Sequence, residues 1–586
     1  MWTRRATLAL VALLPSIALL SILGWGSVED NSPTAAESAT PSSASLLSAA
    51  DITVNTTDDA SDFGGVQQVA DLPGPDGLVS LREAIIAANN TTGPQVIGFN
   101  IPTSDAGFDG TVFTIRPVSL LPALGAGETT IDGATQTAFT GNTNPAGPEL
   151  VLNFGLISSG ADGISLYSAY NVVRSLTING ILFGPCCGGT AVVISSPQAT
   201  GNTVAGCVIG LDATGAAIVE NAGSGIHIGD GATDNRIIGN VISGSAVGIG
   251  IGTGAADNII QANLIGTDVT GTLALGNREH GVSIGDVGSN VVGGPTTAER
   301  NVISGNQGVG VILTSSGNTV QGNFIGTDVT GMTPLGNGID GIAIADGNLI
   351  VGNLISDNQH SGISINSGNA NTIKGNLIGT NINGNPVLGN HGAGVSIGFG
   401  GPSTPSTGNR IGGTKATDAN VIAGNSGNGI TIFDFQGLNN SISRNRIFSN
   451  AGLGIDLVGD GVVTANDAGD GDVGANNRMN FPILTSALGA PGQVVVKGVI
   501  DTPRPRSVTI EFFANPVPTP GGDPSGHGEG AVFLGTARPD VHGRFTATLP
   551  PVSLGTLITA TATDAAGNTS EFAANVEARR LGHSLP

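Results

Sequence analysis

The chain has 586 residues and a formal net charge of −23, with 44 acidic residues against 21 basic ones. It lacks the basic footprint that nucleic acid requires, which excludes a nucleic-acid partner, and it would repel polyanionic glycans unless Ca²⁺ bridged them. Aromatic residues are only 4% of the chain, leaving little to stack on sugar rings, and the three cysteines stand in no Cys/His spacing that suggests zinc.

Residues 1–26 place Arg4 and Arg5 before an apolar run from Ala6 to Leu23. That is the pattern of a secretory signal. No clear small-residue cleavage site comes after it and Pro15 interrupts the run, so an uncleaved N-terminal anchor stays open as the alternative. No other stretch reads as a membrane span. Residues 27–50, rich in Ser, Ala and Pro, read as a linker without a core.

Residues 51–100 are expected to form an N-terminal cap on the repeats that begin near residue 101. Ser80–Ala88 (SLREAIIAA) predicts a helix, with Ser80 and Glu83 forming a capping box and Leu81, Ala84, Ile85 and Ala88 on one face. The alternative is an ordinary surface helix.

From 101 to 465 the chain repeats itself. Asn258–Gly271 (NIIQANLIGTDVTG), Asn318–Gly331 (NTVQGNFIGTDVTG) and Asn371–Gly384 (NTIKGNLIGTNING) are copies of one unit, first seen at Asn202. Shorter echoes such as NRIIGNVISG from Asn235 lie between them, so successive starts are 23 to 38 residues apart. A period in that range means a stacked solenoid. The pieces N-x-(I/V)-x-x-N-x-I and G-(I/V)-x-(I/L), for example Gly362–Ile365, alternate β-branched and small residues between Gly and Asn. That predicts short strands, not helix pairs or leucine-rich repeats. The fold class is therefore all-β, a right-handed parallel β-helix, about 70 Å long at roughly 25 residues per turn. Asn240, Asn263, Asn323, Asn353, Asn376 and Asn445, with Cys207 in an early turn, form one column that should stack as a structural ladder. Val320, Ile325, Ile373 and Ile378 should point into the core. Cys187 and Cys207 are about one turn apart, which leaves a disulfide and a buried, inert Cys207 both open.

The acidic junction 466–489 holds NDAGDGDVGANN. Asp467, Asp470 and Asp472 crowd three carboxylates into six residues, an oxygen-rich, Gly-hinged loop suited to a structural Ca²⁺, although the order is not that of an EF-hand. A solvated acidic turn is the alternative. No other cofactor is expected. Residues 490–578 carry five or more strand-like runs at sandwich spacing, and 579–586 are a tail.

The segment LVSLREAIIAANNTTGPQVIGFNIP at 78–102 resembles the CSLREA-type motif that opens many exported bacterial right-handed β-helix proteins, with Val79 where that motif has Cys. The repeats are similar to those that commonly accompany it, so the resemblance covers about residues 51 to 480. It implies a secreted or surface location, and its relatives range from adhesins to polysaccharide-active enzymes. TATDAAGNTSEF resembles the end of bacterial Ig-like domains.

No catalytic residue is assigned. His280, Asp340 and His360 precede G-I-x-I strands, but counting repeats puts them in turns two or more apart, about 10 Å or more, beyond direct contact. Of the basic residues, Arg236 and Lys374 fall within strands. The Gly526–Gly528 string GHG lies in a sandwich loop. The expected function is a non-enzymatic surface or secreted module for adhesion, spacing or binding of a polysaccharide or matrix polymer. The alternative is a polysaccharide lyase, hydrolase or epimerase using one face of the rod.

Overall fold

The computed structural model describes residues 50–580, apart from 64–65, 158–159, 184–188, 287, 399–404, 435–436 and 516–524. The signal segment, nearly all of the linker, most of the tail, Cys186 and Cys187 thus lie outside the described residues.

Three parallel sheets of thirteen, twelve and eleven strands run the length of a β-helix. One turn uses a strand from each. In a middle turn these are Thr319–Gln321 in the first sheet, Phe324–Ile325 in the second and Ile342–Ile344 in the third. The next turn pairs Val320 with Ile350, Ile325 with Ile355 and Ile342 with Ile363. Alternation points these residues inward, and Val320, Ile325, Ile373 and Ile378 are fully buried in one continuous core. Ile52 and Ser441, which open the first and last strands of the thirteen-stranded sheet, stand 389 positions apart, twelve turns of about 32 residues, so the rod is about 58 Å long. It is shorter than expected because the loops lengthen each turn.

Asparagine holds the corners. The expected column is a ladder, and two further members, Asn301 and Asn420, complete it between Cys207 and Asn445. Cys207 gives its backbone N–H to Asn240, and each rung from Asn240 to Asn420 gives both its backbone N–H and its Nδ2–H to the amide oxygen of the next; Asn323 gives both to Asn353, at 3.0 and 3.1 Å. Two more ladders stand at the other corners. One runs through the repeat-start residues from Asn171 to Asn476. The other runs from Asn277 through Asn306, Asn337, Asn358, Asn390 and Asn425 to Asn450, with every amide–amide bond at 2.9 Å. Along these ladders the buried amides at the bends find partners in one another. Cys207 takes a ladder position as a free, buried thiol, and burial pushes its pKa up to about 12. The disulfide alternative for this residue is therefore set aside.

The T-D-x-T-G string is also structural. Asp268 accepts hydrogen bonds from the Thr272 and Leu273 N–H groups and from Thr270 Oγ1 at 2.7–3.0 Å. Asp328 closes its own loop the same way. These loops occur every second turn and link by backbone bonds from Val329 N to Gly271 O and from Ile382 N to Gly331 O, both 3.0 Å. Gly331, at φ 67°, lies where a Cβ would meet Phe324 and Leu354, so the loop can fold over the outer apolar row of the second sheet.

Helix α1 (Leu81–Asn89) closes the first end. The Ser80–Glu83 capping box is present, and Leu81, Ala84, Ile85 and Ala88 join the rod's core beside strands Ile52–Val54 and Gln95–Phe99. The parallel stack already begins at Ile52, inside the segment expected to be cap, so α1 sits in the loop between the first two rungs. Arg82 anchors it through a two-pronged pair with Asp59 at 2.7 and 3.0 Å. A second helix, α2 (Ala134–Thr140), departs from expectation, because its sequence ATQTAFT has no apolar stripe. Polar side chains hold it: Gln136 is fully buried and exchanges two 2.9 Å bonds with the Ile101 backbone.

A seven-stranded, mostly antiparallel sheet comes next, Ile483–Ala490 to Val576–Arg580. It has its own core around Phe512 and Phe545, yet Phe513 and Phe572 leave that core and enter the end of the rod's. Around them the last rungs are bonded group by group. Asn568 Oδ1 accepts Asn439 N–H, Thr569 Oγ1 accepts Ile442 N–H, and Glu511 accepts Ser443 Oγ–H and Arg444 N–H, all at 2.7–2.9 Å. The Gly530 carbonyl accepts Ile447 N–H. Glu529 takes the next position of the third ladder, accepting Ser449 and Asn450 N–H at 2.6 and 3.0 Å. Glu571 accepts Leu457 and Thr464 N–H at 2.9 Å. An open solenoid end offers unpaired strand groups to any passing chain, and here that end is covered.

Glu571 gives this junction a pH dependence. Burial pushes its pKa up to about 7 from the ordinary 4.5, against three hydrogen bonds that favour the charged form and with Asp456 adding to the rise. The folded state therefore holds this proton more tightly than the unfolded one. The stabilisation is complete below pH 4.5 and is lost as pH rises through about 7, up to about 3 kcal/mol. Burial raises Glu511 in the same sense. Denaturant melts of the wild type and Glu571→Gln between pH 4.5 and 8 should show this slope in the former and a flattened one in the latter.

Candidate functional site

The middle residue of each third-sheet strand faces outward. In register along the last five rungs these are Ala343, Ser364, Ser396, Thr431 and Asp456. The earlier rungs carry Val193, His227, Gly250, Ser283 and Ile312, so the small polar column is local to this part of the rod. Side chains on both flanks rise above it and leave a lengthwise groove of about 600 Å³, with Asp340, His360 and Ser361 on one side and Asn366, Phe433 and Gly459 among its other lining residues. Ser364, Ser396 and Thr431 are nearly covered at the bottom. Asn428 braces the far end, its Nδ2 donating to Thr431 Oγ1 at 3.0 Å and to Asp456 Oδ2 at 2.9 Å.

Here one expectation is corrected. Strands Ile342–Ile344 and Ile363–Ile365 are neighbours, so Asp340 and His360 stand on adjacent turns and share the groove. The 53–60-residue unit contains two turns, which is why counting by long units overstates their separation. Burial raises the Asp340 pKa, opposed by the 2.9 Å bond from Ser361 N–H and by His360. His280, two turns earlier, is occupied: its Nδ1 accepts Val309 N–H at 3.1 Å, and burial lowers its pKa. His391 lies 3.9 Å from Asp357.

Several basic residues of the repeats hold the rod itself. Arg278 bonds the Ala222 carbonyl at 2.7 Å, Arg300 lies over Phe324 and bonds the Gly322 carbonyl, and Lys374 pairs with Asp418 at 3.7 Å. Arg236 is exposed. His527 of the GHG string bonds the Phe572 carbonyl at the junction, at 3.1 Å.

The three junction carboxylates do come together. Asp467, Asp470 and Asp472 each bring an oxygen within 4.8 Å of the others, the one such group of His, Cys, Asp or Glu among the described residues. Asp470, in the left-handed region at φ 54°, comes directly after Gly469 at φ 78°, and this tight turn doubles the loop back on itself. Asp467 accepts Gly471 N–H and Asp470 accepts Asn480 N–H, while Asp472 Oδ1 is buried without a hydrogen-bond partner. Burial raises both Asp470 and Asp472, and Asp467 adds to both. Such a set offers hard oxygen ligands only.

These elements define a parallel β-helix rod, closed at both ends, with a polar groove along one face. Residues 266–397, less than a quarter of the chain, match the family described as "Periplasmic copper-binding protein (NosD)". Three solved structures are similar. The periplasmic alginate epimerase AlgG is 15% identical over 60% of this chain and 74% of that one, TM-score 0.32. ORF18 of Geobacillus virus E2 is 12% identical over 91% and 79%, TM-score 0.38. The full-length tailspike protein 2 of Escherichia coli O157:H7 bacteriophage CAB120 is 10% identical over 86% and 66%, TM-score 0.34. The residues of the matched segment do not fit copper, which favours imidazole and sulfur ligands. Among the described residues, His280, His360 and His391 form no ligand cluster, and the one carboxylate cluster lies outside the segment.

Proposed function

We propose that this is an exported β-helix protein that binds a polymer along its third-sheet groove, acting in adhesion, spacing or matrix binding. The observation that carries the reading is the in-register column Ser364–Ser396–Thr431 at the floor of an open, lengthwise groove. A one-dimensional stack of rungs presents a repeating surface to a repeating ligand. Export is supported by the Arg4, Arg5 and apolar start and by the periplasmic family that the repeats resemble. No helix of the described residues is long and apolar enough to cross a membrane. We read the C-terminal unit as Ig-like from its strand pairing: the first strand pairs antiparallel with the second and parallel with the last.

The test is retention on immobilised neutral, acidic and acetylated polysaccharides. The wild type should hold at least one of them, and Ser396→Trp, which fills the groove from its floor, should weaken that retention at least tenfold with the melting temperature kept. Retention that S396W leaves unchanged would rule the groove out as the binding face.

Asp340 and His360 on adjacent turns support a second reading, a polysaccharide-active enzyme with an acid/base pair on the groove wall. Shortened or unsaturated products that His360→Gln abolishes would make this the leading one.

Asp467, Asp470 and Asp472 are proposed to hold a structural Ca²⁺ at the junction, supported by their convergence and by the unpartnered Asp472 oxygen. Chelation should then lower the melting temperature of the wild type and not that of Asp470→Asn. An unchanged wild-type value withdraws the proposal.

A further inference from the structure

Resting on the groove reading, we infer that the ligand is a single neutral, polyhydroxylated chain that lies parallel to the rod axis and contacts the protein over about four sugar rings. The length comes from the rungs. The lining runs from Asp340, before the first of five strands in unbroken register, to Gly459, after the last, and four strand gaps make about 19 Å. A pyranose joined through equatorial positions advances by roughly one strand gap per ring, so an extended chain meets a new rung at each residue.

The chemistry comes from the lining. Ser361, Ser364, Ser396, Thr431, Asn366 and Asn428 are small donors and acceptors, the complement of a hydroxyl-rich surface. Phe433 adds one aromatic face. Among the described lining residues none is Lys or Arg, while Asp340 is an acid. A chain with a carboxylate on every ring would meet this acid and no fixed cation, on a protein of net charge −23. A neutral chain meets no such barrier.

The test uses the full protein with two ladders of oligosaccharides, neutral β-1,4-linked glucose oligomers of two to seven rings and β-1,4-linked uronic acid oligomers of the same lengths, each also measured on S396W and on Asn366→Ala. Neutral affinity should rise at least tenfold from two to four or five rings and then level off. It should vanish in S396W and fall several-fold in the milder Asn366→Ala, which alters an exposed rim residue. Uronic acid oligomers that bind as tightly as neutral ones, or an affinity that does not change with length, with S396W sensitivity kept in both cases, would overturn this inference and leave the groove standing. Binding of neither series in an S396W-sensitive way would overturn the groove reading itself.

Discussion

Asn353→Asp should destabilise the protein at pH 7 by more than Asn353→Ala, and should recover part of the loss in acid. Asn353 is fully buried in its ladder. Its oxygen accepts two donors from Asn323, and its Nδ2 donates to the Val320 carbonyl at 2.8 Å and to Asn376 Oδ1 at 3.1 Å. Alanine leaves the Asn323 N–H and the Val320 carbonyl without these partners, a cost of about 2–6 kcal/mol for two buried groups. Aspartate keeps the accepting oxygen but aims a second one, charged, at two acceptors. Its folded pKa must rise above the unfolded value, so the variant regains stability as pH falls and its carboxyl becomes a donor. The exposed Asn383→Asp is the control. Chemical denaturation of the three variants at pH 4.5 and 7 decides the matter, and equal losses for Asp at 353 and 383 would mean that the ladder carries no stability.

Phe572→Ala should cost about 3–5 kcal/mol and should also uncover the last rungs. Phe572 packs edge-on against Phe513, ring centres 5.5 Å apart, within the rod's core and not that of the C-terminal sheet. Its loss loosens the surface that holds Asn568, Thr569, Glu571 and the Gly530 carbonyl against the rod. Hydrogen exchange at the Ile442, Ile447 and Leu457 amides should then speed up, with aggregation on warming as the bare edges pair between molecules. Phe545→Ala is the comparison, because Phe545 packs on Phe512 inside the core of the C-terminal sheet. It should destabilise the C-terminal sheet while leaving those three amides protected longer. Unchanged exchange in Phe572→Ala would mean that the C-terminal unit is a neighbour and not a plug.

The β-helix is openly legible in the sequence because its physics is local and repeated. Asn at a corner and Ile or Val beside it recur in every turn, and their period survives loops of changing length. One ladder of three can be read there directly. Asn301 and Asn420 are hidden by short helical insertions, Thr297–Glu299 and Ala416–Asp418, just upstream of them. The third ladder lies after loops too variable to align by eye. The Asp467, Asp470 and Asp472 cluster is legible because its members are adjacent in sequence. The groove is not, since Ser364, Ser396 and Thr431 look like ordinary alternating positions until strand register stacks them. The plug is the least legible feature. Glu511, Glu529 and Glu571 are scattered in a second set of strands, and only the tertiary fold brings each to an unpaired group on the rod.

Hydrogen exchange on the full protein with and without its retained polymer tests polymer binding in the groove most directly. New protection is expected along the rungs of Ala343, Ser364, Ser396 and Thr431, absent in S396W. Protection confined to the loops 268–275, 328–335 and 381–388, or to the C-terminal sheet, would contradict it.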